Sequence, residues 1–476
     1  MASSSSGEPL PSSDSPALKF KVVAAQGRAR SSRMTLPHYT AHTPMFMPVG
    51  TQGSVKGLTS AQLADLDCHV ILGNTYHLEN RPGSELVAEM GGLHGFINWQ
   101  RGMLTDSGGF QMVSLLHLAE ITEEGVTFQS PVDGSRMLLT PEQSIGIQNR
   151  LGADVIMALD DVVPTTTNDP ARFVEATHRT TRWIDRCIAA HSRPTEQNLF
   201  GIVQGGLDPE LRRISMEQLV ARDLPGYAIG GLAGGESKDD FWRVVAQCTA
   251  GLPPGKRRGT GTGASGARPM SKPRYVMGIG YPLDIVVCSA LGADMFDSVY
   301  PTRTARFGVA LVPEGVLKLK NACFARDYRP LDPGCSCPVC ARGTPRAYLH
   351  NVVTRGLASA AGLVTLHNIA YTQALTRAMR QAIEEQRFPD WVRGYLTTMF
   401  PKGDVPGWVR DAMEVAGISL EGVATAPRPP AGRAADREAA EAQGQEGGLG
   451  SAEDKGQGQE GGRGLKRAAE PVTGSA

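Results

Sequence analysis

The chain has 476 residues, 41% of them hydrophobic, and its 48 Lys+Arg balance 48 Asp+Glu to a formal net charge of zero. That length suits one large domain or two ordinary ones, and the balance excludes a globally basic nucleic-acid binder, so any phosphate-facing surface must be local. No apolar run approaches the ~20 residues of a membrane span, and eight cysteines in so long a chain do not read as a disulfide framework.

In chain order, residues 1–17 are Ser/Pro-rich and carry Glu8 and Asp14. They lack an apolar signal core and the Arg-rich, acid-poor character of a transit peptide, and read as an unstructured tail. Short β-type runs then recur at 45–50, 69–74, 103–109, 154–161, 198–206, 227–232, 274–280 and 294–300. Helical patterns at 141–151, 171–190, 209–221, 239–250 and 282–291 lie between most of them. The first of these opens after Thr140, a good N-cap, with Pro141 at the first helical position. Leu-Gly-Ala-Asp occurs at 151–154 and again at 291–294, a weak internal echo between helix and strand. Residues 253–272 read as a flexible, solvent-exposed insertion, and from 424 onward a second tail has almost no large apolar residues. Eight runs with helical crossovers predict an α/β fold, a (β/α)8 TIM barrel. An open doubly wound sheet is the alternative, weakened because no G-x-G-x-x-G turn follows the first run.

In such barrels the active site lies at the C-terminal strand ends. Reading those ends gives Asn74, Asp106, Asp160 with Asp161, Gln204, Gly230 with Gly231, Gly278 with Gly280, and Asp297. Each aspartate alone reads as a helix cap. Three strands delivering carboxylates to one rim read as a site. One carboxylate can attack an anomeric carbon while another moves a proton, and an Asp with a Gln can read a purine edge. A sugar hydrolase or an aldolase could use similar parts.

Cys335, Cys337 and Cys340 place three thiols within six residues. Tetrahedral zinc needs a fourth ligand, with His367, His350 and Cys323 as candidates, and three cysteines plus a histidine match closed structural zinc sites. A zinc-binding region is therefore expected near the C-terminal end, within 323–367. Around it, Arg303, Arg306, Lys318, Lys320, Arg326 and Arg329 outnumber Glu314 and Asp327. That patch could meet phosphates, but on charge alone it reads as an ordinary solvated surface.

Several multi-residue stretches match one family in order. They are Thr105-Asp106-Ser107-Gly108-Gly109-Phe110-Gln111, Leu159-Asp160-Asp161-Val162-Val163, Gly201-Ile202-Val203-Gln204-Gly205-Gly206, Gly230 to Glu236, Tyr275 to Gly280, and Phe296 to Arg306. With the Cys-x-Cys-x2-Cys set and a later Thr-x-His-Asn, residues 18–405 resemble the tRNA-guanine transglycosylases, more narrowly the catalytic subunits of the eukaryotic enzymes. The resemblance implies a pentosyltransferase. It would replace guanine at anticodon position 34 of G-U-N tRNAs by queuine through a covalent Asp–ribose intermediate.

The resemblance assigns Asp297 as nucleophile and Asp106 as general acid/base. Asp106, Asp160, Gln204, Gly231 and Leu232 would read the base, with Phe110 and Met277 on its faces. Gly278, Ile279, Gly280, Tyr281, Pro282, Leu283 and Asp284, together with Thr302, Arg303, Thr304, Ala305 and Arg306, would meet the RNA. One structural Zn2+ would sit on Cys335, Cys337, Cys340 and His367. Gly234 stands where bacterial relatives usually carry valine, and Val162 where they usually carry cysteine. Both resemble the eukaryotic pattern that takes the bulkier queuine. The implied setting is a heterodimer with a non-catalytic paralogous subunit, in the cytoplasm, with peripheral association with mitochondria left open. The departures are the two tails, the 253–272 insertion and one extra residue between Cys340 and His350. The competing readings are a non-catalytic, zinc-stabilised tRNA-binding subunit of the same fold, a transglycosylase using a smaller deazaguanine or acting in the D-arm, and an unrelated barrel lyase or glycosidase.

Overall fold

The computed structural model describes residues 12–109, 120–129, 134–252, 254–255 and 270–423. Eight parallel strands close into a barrel: β1 Met45–Gly50, β2 Val70–Gly73, β3 Gly102–Thr105, β4 Val155–Met157, β5 Asn198–Val203, β6 Gly226–Ile229, β7 Arg274–Val276 and β8 Met295–Ser298. Each strand pairs with the next in sequence, and β8 returns to β1 in a register running from Met295 opposite Met45 to Ser298 opposite Pro48. The expected (β/α)8 barrel is therefore present, and closure rules out the open sheet.

Helices Pro141–Leu151, Pro170–Ala190, Pro209–Val220 and Lys238–Gly251 follow β3 to β6. Their N-caps are Thr140, Asp169, Asp208 and Ser237, whose side chains each accept a first-turn amide. Pro282–Ala290 follows β7 without a side-chain cap, opening instead on proline.

The strands are shorter than the sequence runs, which overshoot at their C-terminal ends. Hydrophobicity continues past the last paired residue, but the backbone leaves the sheet there, as at Gly278, whose φ is +77. These extra residues are the loops of the barrel mouth.

Alternation along the strands builds the interior. Met47, Leu72, Leu104, Met157, Ile202, Ala228, Tyr275 and Met295 belong to one buried cluster inside the barrel. Two positions beyond Leu72, Leu104, Ile202, Ala228, Tyr275 and Met295 stand Asn74, Asp106, Gln204, Gly230, Met277 and Asp297. The period that fills the barrel thus hands over to polar groups at its mouth. On β4 the spacing differs, with Asp160 three positions beyond Met157.

An antiparallel sheet of Ser12–Ser15, Leu18–Gln26, Ala29–Thr35 and Thr40–Thr43 closes the opposite end. Its Leu18, Phe20, Val22 and Met34 join the interior cluster. The repeated Leu-Gly-Ala-Asp explains how this sheet is fastened. Asp154 and Asp294 are both fully buried just before β4 and β8. Asp154 accepts the Met103 amide at 2.8 Å and bonds the His38 ring at 2.8 Å. Asp294 accepts the Arg274 amide at 2.7 Å and the Arg30 guanidinium at 2.8 Å. Each carboxylate therefore ties the preceding strand to a cationic or ring donor of the closing sheet, half a barrel apart.

Two expectations about boundaries differ. Ser12–Ser15 pairs with Leu18–Gln26 although it falls in the stretch read as a tail. Pro254–Gly255 pairs with Met270–Ser271, so both ends of the 253–272 insertion are held, while 256–269 lies outside the described residues. Helix Gly407–Val415 lies beyond the 18–405 stretch that carries the resemblance, and 424–476 is likewise outside the described residues. Among the described residues no helix is long and apolar enough to cross a membrane.

After β8 come helix Tyr300–Arg306, the hairpin Val309–Val312 with Gly315–Lys318, and the long helix Ala358–Glu384. The long helix braces β1: Gln373 Nε2 donates to the Phe46 carbonyl at 3.0 Å and Arg380 to the Pro44 carbonyl at 2.7 Å.

Candidate active site and metal centre

Contacts run around the mouth from β2 to β8. Asn74 Nδ2 donates to Asp106 Oδ2, and the Thr75 amide donates to Asp106 Oδ1 at 2.9 Å. Next to it, Ser107 Oγ stands 3.4 Å from Asp160 Oδ1, and Gln204 Nε2 donates to Asp160 Oδ2 at 2.6 Å. Gln204 in turn presses on Gly231, where a Cβ would meet Oε1 at 2.4 Å and where φ is +63. At Gly230 a Cβ would stand 2.5 Å from Ile202 Cγ2 and 3.5 Å from Met277 Sδ. A side chain would meet Ile202 at the first position and Gln204 at the second, so glycines there let the Gln204 amide lie against the backbone. Past Met277, the Gly278 amide donates to Asp297 Oδ1 at 2.8 Å, and the Tyr275 hydroxyl donates to the same oxygen.

The supports come from the surrounding helices. Ser144 Oγ donates to the Ser107 carbonyl at 2.7 Å, and Gln148 ties Thr105 to Met157. The fully buried Arg212 guanidinium donates to the Gly206 and Val203 carbonyls, both at 2.8 Å, and lies 3.5 Å from that of Gly231. The loop after β6 is pinned by Glu236, which accepts the Ala233 amide at 2.6 Å, the Gly234 amide at 2.9 Å and the Thr165 hydroxyl at 3.0 Å.

Electrostatics separate the carboxylates. Burial, with some help from the neighbouring Asp161 charge, pushes Asp160 up to about 7 against the hydrogen bonds from Gln204 and Ser107. Asp161 itself is buried and ion-paired with Arg172 and Arg179, so it is a structural charge rather than a reactive one. Burial also raises Asp297 above the usual carboxylate range, opposed by the donors from Gly278 and Tyr275. The Tyr275 hydroxyl is driven well above its ordinary value by burial and then by the Asp297 charge, so it stays a proton donor.

Of the expected site residues, Asp106, Asp160, Gln204, Gly231, Met277 and Asp297 are joined in this ring of contacts. Leu232 and Val162 are buried beside it, and Phe110 lies outside the described residues. Within the expected RNA-facing stretches, Ile279, Gly280, Pro282, Leu283, Asp284, Thr302 and Ala305 are buried, Asp284 in an ion pair with Lys238 at 2.7 Å. Gly278, Tyr281, Arg303, Thr304 and Arg306 reach the surface. Sequence reasoning gave no role to Tyr275 or Arg212. For Tyr275 the available signal was a tyrosine two residues before Met277 on a barrel strand, where an inward phenol needs a partner.

The second cluster lies beyond β8. Cys335, Cys337, Cys340 and His367 bring their ligand atoms within 4.8 Å of one another. His367 Nδ1 is 3.6 Å from Cys337 Sγ and 3.4 Å from Cys340 Sγ. A tetrahedral ion with bonds of ~2.3 Å separates its ligand atoms by roughly 3.7 Å, so the donor set fits one metal ion. The ring is oriented by Nε2, which donates to the Leu311 carbonyl at 2.8 Å and leaves Nδ1 for the ion. Cys323 is exposed and outside the cluster, and His350 Nδ1 is engaged with the Leu319 carbonyl at 2.7 Å. His367 sits in the third turn of the long helix Ala358–Glu384. The next residue, Asn368, donates to the Pro301 and Val309 carbonyls at 3.0 and 2.9 Å and accepts the Leu311 amide at 2.8 Å. One helical turn thus links the metal cluster to the helix after β8.

Comparison with known proteins agrees with this geometry. The family model described as Queuine tRNA-ribosyltransferase matches residues 25–401. A queuine tRNA-ribosyltransferase catalytic subunit of Schizosaccharomyces pombe is 49% identical over 415 residues, covering 85% of this chain and 98% of its own length. The protein of the same description from Caenorhabditis elegans is 46% identical over 420 residues, 85% of this chain and 100% of its own. A queuine tRNA-ribosyltransferase of Thermus thermophilus is 49% identical over 400 residues, 84% of this chain and 98% of its own. With the barrel, its ring of carboxylates and the Cys3His cluster beside it, the chain belongs to the tRNA-guanine transglycosylase family of pentosyltransferases.

Proposed function

We propose that this protein exchanges guanine at the wobble position, 34, of G-U-N tRNAs for queuine by two displacements at one ribose carbon. The observation that carries the reading is Asp297, held at the end of β8 by two donors on one oxygen, with Asp106 and the Asp160–Gln204 pair on the same mouth. Asp297 attacks C1′ as the C1′–N9 bond breaks, and Asp106 gives a proton to the departing guanine. The incoming base then attacks C1′, Asp106 takes its proton, and the ester electrons return to Asp297. Two inversions retain the β-linkage. The target nucleotide must leave its stack to reach a barrel mouth, which an anticodon loop allows at low cost. Gly278, Tyr281, Arg303, Thr304 and Arg306 supply the exposed surface beside the nucleophile for that RNA.

Zinc is the ion the Cys3His set favours, since three thiolates and one imidazole make a closed structural site. The description of the Schizosaccharomyces and Caenorhabditis relatives as catalytic subunits favours a heterodimer, here with a non-catalytic paralogous subunit. The presence of both Asp106 and Asp297 favours the catalytic role for this chain. We place it in the cytoplasm, with mitochondrial association a matter for imaging. The test is exchange of labelled guanine in G-U-N tRNA, with the reaction stopped in mild denaturant and resolved on a gel. A tRNA-shifted protein band and exchange confined to G34 are expected. Turnover with no such band would refute the covalent route.

Asp160 gives the reaction a pH dependence. With its free-protein value at about 7, it is protonated in mildly acid solution. Reading the N–H edge of guanine requires the carboxylate, so base binding expels a proton. Free guanine should therefore inhibit about tenfold less strongly per unit as pH falls below ~7, and hold constant above it. Asp160→Asn should flatten that dependence. A flat wild-type profile between pH 5.5 and 8 would contradict this role.

Gly234 supports queuine over a smaller deazaguanine. A Cβ there would stand 3.0 Å from Thr165 Oγ1, and the Glu236 carboxylate already holds both sides of this contact. Gly234→Val must push this loop into the space beyond the base. We expect queuine KM to rise about 10- to 100-fold, and KM for the smaller base by under about threefold. Equal losses would remove the size argument.

A further inference from the structure

Tyr275 is a candidate for a part of the reaction that the two aspartates do not explain. Its ring belongs to the barrel interior and its hydroxyl reaches Asp297 at the top. This hydroxyl and the Gly278 amide both donate to Oδ1 of the nucleophile, whose carboxylate also takes a hydrogen bond from its own backbone amide. Among the described residues no hydrogen bond from another residue ends on Oδ2. The two oxygens of one carboxylate are therefore unequal: Oδ1 is held and Oδ2 is presented.

We propose that Tyr275 and the Gly278 amide form a donor pair that sets the leaving-group quality of Asp297, with Tyr275 as a positioning residue acting through Oδ1. The inference rests on the covalent reading above. In the first displacement an Oδ2 electron pair forms the C1′–O bond while the C1′–N9 pair leaves with guanine, which takes up a proton from Asp106. Oδ1 becomes the carbonyl oxygen of the ester and keeps its two donors. In the second displacement a nitrogen pair of the incoming base forms the new bond, its proton passes to Asp106, and the C1′–Oδ2 pair returns to the carboxylate. Hydrogen bonds to a charged oxygen are stronger than those to a neutral carbonyl. The pair therefore stabilises free Asp297 more than esterified Asp297, which makes the adduct easy to resolve. Burial works the other way by penalising the carboxylate, so the phenol offsets a cost that the site itself imposes. An all-apolar neighbour would give a better nucleophile but an adduct that persists.

The experiment is Tyr275→Phe, read by the guanine concentration that reverses half of the preformed tRNA adduct. Loss of the phenol should raise that concentration about tenfold, because the balance between ester and carboxylate moves toward the ester. Turnover should fall about 10- to 100-fold, and the acid limb of its pH profile should move to higher pH. A lower turnover with unchanged half-reversal concentration and acid limb would mean packing alone and would overturn the proposal. Incorporation of 3-fluorotyrosine at 275 keeps the shape and makes a more acidic donor. It should lower the half-reversal concentration, and a rise or no change would equally overturn it. A wild-type protein that turns over without any adduct would bring down this inference together with the covalent reading. A wild-type adduct with Tyr275→Phe indistinguishable from it removes this inference alone.

Discussion

Asp297→Ala should leave no measurable guanine exchange and no tRNA adduct, a loss on the order of 10⁴-fold or more. The expectation follows from how the other carboxylates are engaged. Asp106 is bonded to Asn74 and the Thr75 amide, Asp160 to Gln204, and Asp161 to two arginines. None is placed to take over the attack on C1′. The variant should nonetheless fold, because burial disfavours the Asp297 carboxylate and its removal relieves that cost. tRNA affinity should stay within about threefold of wild type, since Arg303 and Arg306, the side chains proposed to meet phosphates, are untouched. Filter binding, thermal unfolding and labelled-guanine exchange on one preparation separate these effects. Exchange within tenfold of wild type, or an adduct formed by the variant, would remove Asp297 as nucleophile.

The period-two core explains how much of this was legible in advance. Six mouth positions sit two residues beyond an interior apolar residue, so the recurring runs and the polar residues just past them could be read in the sequence. The ends of those runs could not, because an apolar residue in a mouth loop looks the same as one in a strand. Tyr275 was hidden for a related reason. A tyrosine among interior positions reads as core, and only its hydroxyl contact with Asp297 distinguishes it. Arg212 was hidden because a helix-borne arginine normally reads as solvated, whereas here its guanidinium satisfies the carbonyls of Val203 at the end of β5 and Gly206 in the turn after it. The repeated Leu-Gly-Ala-Asp was visible, but its purpose was not. Asp154 and Asp294 fasten the sheet at the closed end, and their partners lie 116 and 264 residues away in sequence. Sequence periodicity carries no information about such distant pairing.

Removal of the metal should have the second largest effect, and it should act on folding before chemistry. His367→Ala deletes the ligand that joins the Cys335–Cys340 turn to the third turn of the long helix, and leaves the Leu311 carbonyl without its buried donor. Zinc content should fall from about one ion per chain to near zero, because a three-cysteine remnant binds far more weakly. His350→Ala, whose ring bonds the Leu319 carbonyl, should keep its zinc. A bound ion would contribute several kcal/mol to folding, so the first unfolding transition should drop by about 10 °C. Activity should follow through Asn368. With the helix turn around His367 loosened, its bonds to the Pro301, Val309 and Leu311 backbone are lost, and the helix carrying Arg303 and Arg306 is no longer fixed against the long helix. The defect should therefore appear in KM for tRNA more than in inhibition by free guanine, since Asp160 and Gln204 stand just past β4 and β5, away from the Cys3His cluster beyond β8. Full zinc occupancy in His367→Ala would place the fourth ligand elsewhere. Lost zinc with unchanged tRNA affinity and thermal stability would show that this cluster does not support the RNA-facing side of the barrel.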